Sequence, residues 1–383
     1  MTRRLFLKGA LGVSLAGLLA ACGGDDDDDE PEQATATSAP ESSGTEPSAP
    51  ATPALSATPT ESTASSPTSA STSDAASGSQ TRTFIDVYGN PIEVPANPMR
   101  IVAIHDNNGG AQLLSLGAPV IGLPTRGGEI DPALGEIFDI SGIAAVGETY
   151  EPDIEAILAL EPDLIVGEGY AGQGMDQFMG AGIHESLLEI APVVYIDTFR
   201  SVEDVMSDFA ELLGDDYIGI MDEQKVEFDT LVADIESVLG DDWANVTAAY
   251  VSKHATAGTL QTAGPTGSTF TDILNRVGVS WVPLVIEAGS PENGGYLGEI
   301  SNERMNEFES DLLIADAYYD QTILEDPLFL SLQVVEQEQV IVAERSDGNF
   351  WGTHYPIYMR AATFLLDALT AMQPLSTDIV EEA

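Results

Sequence analysis

The sequence predicts an α/β protein of two lobes set either side of a central helix, and three observations carry that expectation. Short continuous apolar runs alternate with segments of helical period from about residue 81 onward, the pattern of parallel sheets covered by helices. The alternation occurs twice, before and after one stretch, 201–214, whose two ends are both marked. Within it Val202, Val205, Met206, Phe209, Leu212 and Leu213 recur at steps of three and four, which gives a helix with one apolar stripe. Ser201 is placed to cap that helix, with Asp204 completing an imperfect capping box, and Gly214 suits a left-handed position after its last turn.

The chain opens with Thr2-Arg3-Arg4-Leu5-Phe6-Leu7-Lys8 and an uncharged apolar run to Ala21. That run is too short to cross a hydrocarbon layer of about 30 Å, so residues 1–21 read as an export signal. The paired arginines followed by Phe-Leu-Lys look like a twin-arginine signal, and the small residues before Cys22 look like a lipobox. Cys22 is then the lipidated first residue of the mature protein; as the only cysteine, it leaves no intrachain disulfide. Residues 22–80 are Ser, Thr, Ala, Pro and acid, including Asp25 to Asp29, and are too poor in apolar side chains to fold. They are expected to form a disordered tether with a reach of roughly 40 Å, holding an extracytoplasmic body to the cell membrane through lipid.

With 63 Asp and Glu against 13 Lys and Arg, the formal net charge is −50. That balance argues against nucleic acid as a partner, because phosphates need basic patches. It also suits a salty habitat, but it says little about fold.

Within the body, residues 86–95 read as two short strands around a Gly89-Asn90-Pro91 turn. A strand over 100–104 leads to a helix ending at Leu116-Gly117. Strands at 120–123, 164–166 and 193–195 and a helix over 153–160 fill the first lobe, 81–200. After the 201–214 bridge, a second helical run through Val226, Leu231, Ile235, Val238 and Leu239 opens the second lobe, 215–383. Segments 248–251, 270–277, 312–314 and 340–342 and a closing helix over 357–372 repeat the same alternation.

Three segments carry a resemblance. They are Gly-Asn-Pro-Ile-Glu-Val-Pro-Ala-Asn-Pro-Met-Arg-Ile-Val at 89–102, Val-Gly-Glu-Thr-Tyr-Glu-Pro-Asp-Ile-Glu-Ala-Ile-Leu-Ala-Leu-Glu-Pro-Asp-Leu-Ile-Val-Gly at 146–167, and Glu-Ile-Ser-Asn-Glu-Arg-Met at 299–305. Together they resemble the iron-siderophore substrate-binding proteins of ABC importers, over the body from about 81 to 373. The resemblance implies two Rossmann-like α/β lobes bridged by a single long backbone helix, with the ligand cleft between the lobes. It further implies a ferric siderophore as ligand, no covalent cofactor, and a monomer that delivers its cargo to ABC permease subunits and, through them, to the ATPase. A docking glutamate in each lobe of the family is matched here by Glu155 and Glu303.

Open parallel sheets place their ligand loops at the carboxyl ends of the strands. The first lobe then offers His105, Asp106, Arg126, Tyr170 and Arg200, and the second His254, Trp281, Tyr318, Tyr319, Arg345 and Trp351. Aromatic rings and guanidinium groups suit a rigid, oxygen-rich chelate. Arg126, in Thr-Arg-Gly-Gly directly after a strand, is the favoured anion reader, whereas Arg200 has the alternative of pairing with an acid on the following helix. The Gly-rich stretch 167–174 lacks the Lys-Ser/Thr of a phosphate loop, and with no nucleophile elbow the chain does not read as an enzyme. Other ligands left open are haem or a corrinoid in the same architecture, or a metal ion gathered by His105, His184, His254 and His354, although no metal ligands are assigned. Catecholate, hydroxamate and carboxylate chelates are not distinguished.

Overall fold

The computed structural model describes residues 80–170, 182–240, 246–253 and 258–372. The expected signal, Cys22, the tether and His254 lie outside the described residues.

A hairpin of β1 (Thr81–Ile85) and β2 (Pro91–Pro95) precedes two six-stranded sheets. The Asp86 carboxylate accepts from the backbone N–H of Tyr88 and Asn90, at 3.0 and 2.8 Å, and so closes the expected Gly-Asn-Pro turn. The first sheet contains β3 (Ile101–Ala103), β4 (Val120–Thr125), β5 (Ala144–Glu148), β6 (Glu151–Pro152), β7 (Leu164–Glu168) and β8 (Val193–Ile196). Their order is β6-β5-β4-β3-β7-β8, and all run parallel except β6. Strands β3, β7 and β8 are buried along their whole length, which is why they read as unbroken apolar runs. Helices α1 (Ala111–Ser115), α2 (Pro132–Gly135), α3 (Ile154–Ala159) and α4 (Ile183–Leu188) accompany this sheet.

Two consecutive helices follow, α5 (Val202–Leu213) and α6 (Asp215–Leu239). The bridge expected at 201–214 is therefore corrected. All six stripe residues of α5 are buried, and the helix packs on α1 and β8 of the first lobe. The 25-residue α6, about 37 Å long at 1.5 Å per residue, carries the chain across to the second sheet. Only Phe228 and Ile235 of α6 are fully buried, as suits a helix that spans between bodies with polar residues elsewhere on its surface. Gly214 separates the two helices at φ 112° and ψ 174°, so its φ is positive but it lies outside the left-handed helical well.

The second sheet contains β9 (Thr247–Lys253), β10 (Leu260–Ala263), β11 (Ser280–Trp281), β12 (Tyr296–Ile300), β13 (Leu312–Ala317) and β14 (Val340–Glu344). The order is β12-β10-β9-β13-β14, with β11 also on β9; β9, β11, β13 and β14 are parallel, β10 is antiparallel to β9, and β12 is antiparallel to β10. Helices α7 (Thr269–Arg276), α8 (Pro283–Ala288), α9 (Pro327–Leu330), α10 (Gln333–Glu336) and α11 (Tyr355–Met372) complete the described chain.

The largest apolar cluster runs continuously from β3 and β7 through α5, α6 and α11 into β9 and β13. Smaller clusters lie in each lobe away from it. At the meeting of the lobes, Arg276 at the end of α7 pairs with both Asp272 and, through Nη2 at 2.9 Å, Glu203 of α5. Its guanidinium also stands 5.3 Å from the centre of the Phe228 ring on α6. One side chain thus ties α5, α6 and α7 together. Among the described residues, no helix is long and apolar enough to cross a membrane.

Candidate ligand-binding cleft

Three parallel strands of the first lobe end in a connected polar cluster. After β3, His105 and Asp106 are both buried; after β4 comes Arg126, and β7 ends on Glu168. Arg126 grips Asp106 with two donors: Nε to Oδ2, and Nη2 to Oδ1 at 2.7 Å. Burial alone would raise the Asp106 pKa, but this ion pair outweighs it and holds the carboxyl below its ordinary value. His105 Nδ1 accepts from the backbone N–H of Asn108 at 3.1 Å, so the neutral ring carries its proton on Nε2. Nε2 faces Glu168 Oε2 at 3.2 Å and the Tyr150 hydroxyl at 3.1 Å. Burial drives His105 down to about 4 and pushes Glu168 up to about 7, the latter despite donors from Tyr170 and Asn108 to Oε1. The Tyr170 ring lies 5.1 Å from that of Phe199.

The turn after β4 is closed by Glu148 at the end of β5. Its carboxylate accepts from the N–H of Gly127 at 2.9 Å and of Gly128 at 2.8 Å, and from the Thr125 hydroxyl at 2.8 Å. Gly147, at φ 103°, cannot carry a side chain there, because a Cβ would stand 2.4 Å from the Asp153 nitrogen.

The strand ends of the second lobe carry an aromatic wall. Tyr318 and Tyr319 follow β13, with ring centres 5.0 Å apart, and Trp351 lies 6.3 Å from Tyr319 and 6.2 Å from Tyr296. Arg345, after β14, covers Tyr318 at 5.4 Å. Beneath them Asp316 is buried; it accepts from the Tyr250 hydroxyl at 2.8 Å and the Tyr318 N–H at 3.1 Å, and burial raises its pKa. The two lobes meet here. Gln112 of α1 donates to the Thr353 carbonyl at 3.2 Å, and the Tyr319 hydroxyl, pushed up to about 12 chiefly by burial, feels Arg126 and Asp131 of the first lobe.

Of the residues expected from sequence, His105, Asp106, Arg126 and Tyr170 gather in the first lobe, and Tyr318, Tyr319, Arg345 and Trp351 in the second. Two others are corrected. Arg200 is committed to Asp208 on α5 and donates Nε to the Asp197 carbonyl at 3.1 Å, the alternative foreseen for it. Trp281 lies on β11 beside Ala248, at the amino end of β9, so it stands at the opposite end of the sheet from Lys253, Tyr318 and Arg345; its indole donates to Asn275. Among the described residues the histidines do not converge: His184 bonds Tyr195 at 3.0 Å, while His354 is buried 5.4 Å from the Phe138 ring. Among the described residues, no group of three or more His, Cys, Asp and Glu could hold a metal ion. Tyr150, Glu168, Tyr296 and Asp316 were not singled out from sequence. Glu168 was within reach of the same reasoning, since β7 runs two residues past the apolar segment that revealed it.

Two α/β lobes on one long helix, with strand-end residues of both lobes turned to a common cleft, define the two-lobe, backbone-helix class of binding-protein fold. No protein-family model matches the chain. A probable siderophore-binding lipoprotein, YfiY of Bacillus subtilis (strain 168), is 32% identical over 167 residues, 43% of this chain and 48% of the relative. The match thus spans about half the length of that curated relative. Among solved structures, Staphylococcus aureus SirA complexed with staphyloferrin B is 19% identical, with a TM-score of 0.58 over 78% of this chain and 100% of that one. The siderophore periplasmic binding protein from the fuscachelin gene cluster of Thermobifida fusca is 21% identical (TM-score 0.55; 73% and 98% covered). FhuD2 of Staphylococcus aureus with bound ferrioxamine B is 14% identical (TM-score 0.57; 72% and 99% covered). At these identities the likeness of the structures establishes the fold.

Proposed function

We propose that the protein is an extracytoplasmic solute-binding lipoprotein that captures a ferric siderophore and hands it to an ABC permease for iron uptake. The observation that carries this reading is the facing of an aromatic wall, Tyr318, Tyr319 and Trp351, by the hydrogen-bonding cluster of His105, Arg126, Tyr150, Glu168 and Tyr170. A compact chelate offers flat faces to stack on rings and ligand oxygens to accept from Arg and Tyr. The similarity to a siderophore-binding lipoprotein and to siderophore-binding structures supports the reading. Lipidation of Cys22 as membrane anchor, and docking through Glu155 and Glu303, belong to it.

The test is a titration of tryptophan fluorescence with ferric siderophores, haem and cobalamin, alongside fractionation of the Cys22→Ser variant. At least one ferric siderophore is expected to saturate the protein at micromolar concentration or below, and the variant to leave the membrane fraction. Saturation by haem or cobalamin alone would remove the siderophore from the proposal, and a variant still bound to membranes lacking the permease would remove the lipid anchor.

A further inference from the structure

Three of the four cations at the cleft-side strand ends are already engaged by oxygen partners, and this restricts the ligand. Of the chain's 13 Lys and Arg, Arg3, Arg4 and Lys8 precede Cys22, and all the others lie within the described residues. Four follow or end parallel strands on the cleft side: Arg126, Arg200, Lys253 and Arg345. Arg126 is held by both oxygens of the fully buried Asp106, and Arg200 by Asp208. Lys253 donates to the Thr322 hydroxyl at 3.2 Å and lies near enough to Asp320 to favour its ionised form. Arg345 rests on the Tyr318 ring and, among the described residues, is the one of these four with neither an acid nor a hydrogen-bonding oxygen as partner.

Backbone donors are engaged in the same way. The N–H groups of Gly127 and Gly128, which would cradle an anion beside Arg126, both go to Glu148. Two further carboxyl groups, Glu168 and Asp316, are buried at the strand ends of the two lobes. Among the described residues at these strand ends, a polyanionic ligand would find one unpaired guanidinium, Arg345, and Arg126 already neutralised by Asp106; drawing Arg126 away would leave that buried carboxylate unpaired. A neutral chelate needs only ring faces and a few hydrogen bonds, and the cleft supplies both.

Resting on the siderophore reading above, we propose that the cleft selects ferric chelates of neutral or positive net charge, the tris-hydroxamate class, over polyanionic catecholates and hydroxycarboxylates. The test compares four probes by tryptophan fluorescence: ferrichrome (neutral), ferrioxamine B (cationic), ferric enterobactin and ferric staphyloferrin B (both anionic). One of the two hydroxamates is expected to bind about 100-fold or more tightly than either anion, because like-charge juxtaposition costs several kcal/mol at a closed interface. Its Kd should change by less than about threefold between roughly 0.05 and 0.5 M salt, since screening acts little on a neutral ligand or a single charge in a closed cleft. Equal or tighter binding of either anion overturns the assignment. Failure of all four probes, with haem or cobalamin binding instead, is a separate result that defeats the siderophore reading and the charge class with it.

Discussion

His105 and Glu168 reverse the protonation that their free side chains would show at mildly acidic pH. A free His titrates at 6.5 and a free Glu at 4.5, whereas in the folded protein burial moves them to about 4 and about 7. Between pH 4.5 and 6.5 the unfolded chain therefore keeps one proton on His, and the folded protein keeps one on Glu. The numbers of bound protons match, so the pair adds little slope to stability against pH. Single substitutions unmask the two halves. In Glu168→Gln the raised carboxyl is gone, so stability relative to wild type should fall as pH drops from 7 through 4.5. In His105→Gln the depressed imidazole is gone, so stability relative to wild type should fall as pH rises from 4 through 6.5. Each full change is about 3 kcal/mol for a shift of about 2.5 units. Urea midpoints across pH 4 to 8 check this, and slopes of the same sign in both variants would refute it.

The junction of α5 and α6 turns on two glycines with opposite requirements. Gly214 sits at positive φ, and a Cβ there would stand 3.1 Å from the Ala96 carbonyl oxygen, so Gly214→Ala should destabilise by about 1 to 2 kcal/mol. Gly219 is exposed within α6 with nothing within 4 Å of a Cβ, so Gly219→Ala should stabilise by about 0.5 to 1 kcal/mol. Thermal unfolding of the two variants decides, and stabilisation by the first would contradict the backbone geometry. This junction also marks where the sequence was legible and where it was not. The stripe of α5 was plain because six apolar residues face one core, whereas α6 shows a diluted pattern since few of its side chains are buried. From sequence, the shorter and clearer helix therefore reads as the bridge. Strand ends were legible in parallel strands, whose apolar runs stop at the cleft, and this found His105, Asp106 and Arg126. The same rule misplaced Trp281, because β11 is two residues long and its register on β9 is a tertiary fact. Tyr150, at φ 71° between β5 and β6, and Tyr296, opening an antiparallel strand, follow no parallel strand end at all.

For the molecule as a whole, the proposed transport role requires that a loaded cleft present itself to a permease. Glu155 is exposed in the first turn of α3, which follows the short antiparallel strand β6, and Asp153 caps that turn. Glu303 is exposed just after β12, whose last residue, Ile300, pairs with Leu260, itself opposite Lys253 at the end of β9. The register thus sets Glu303 near the carboxyl end of β9, and the docking role proposed above assigns one glutamate to each lobe. Replacing both with Ala should leave ligand affinity nearly unchanged and lower stability by no more than about 1 kcal/mol per site, the ceiling for an exposed helix-terminus charge. Uptake should be lost, because charge pairs closed at an interface couple by roughly 1.5 to 7 kcal/mol. Normal transport by the double variant, or loss of ligand binding, would remove the docking role. The scarcity of cations has a practical consequence for following such a cycle. Beyond Lys8 the chain has two lysines, Lys225 on α6, paired with Asp229, and Lys253 at the mouth of the cleft. With Lys225 changed to Arg, an amine-directed fluorophore added to protein that has lost its first 21 residues has one side-chain address, at the carboxyl end of β9, from which it would report on any ligand the cleft takes up.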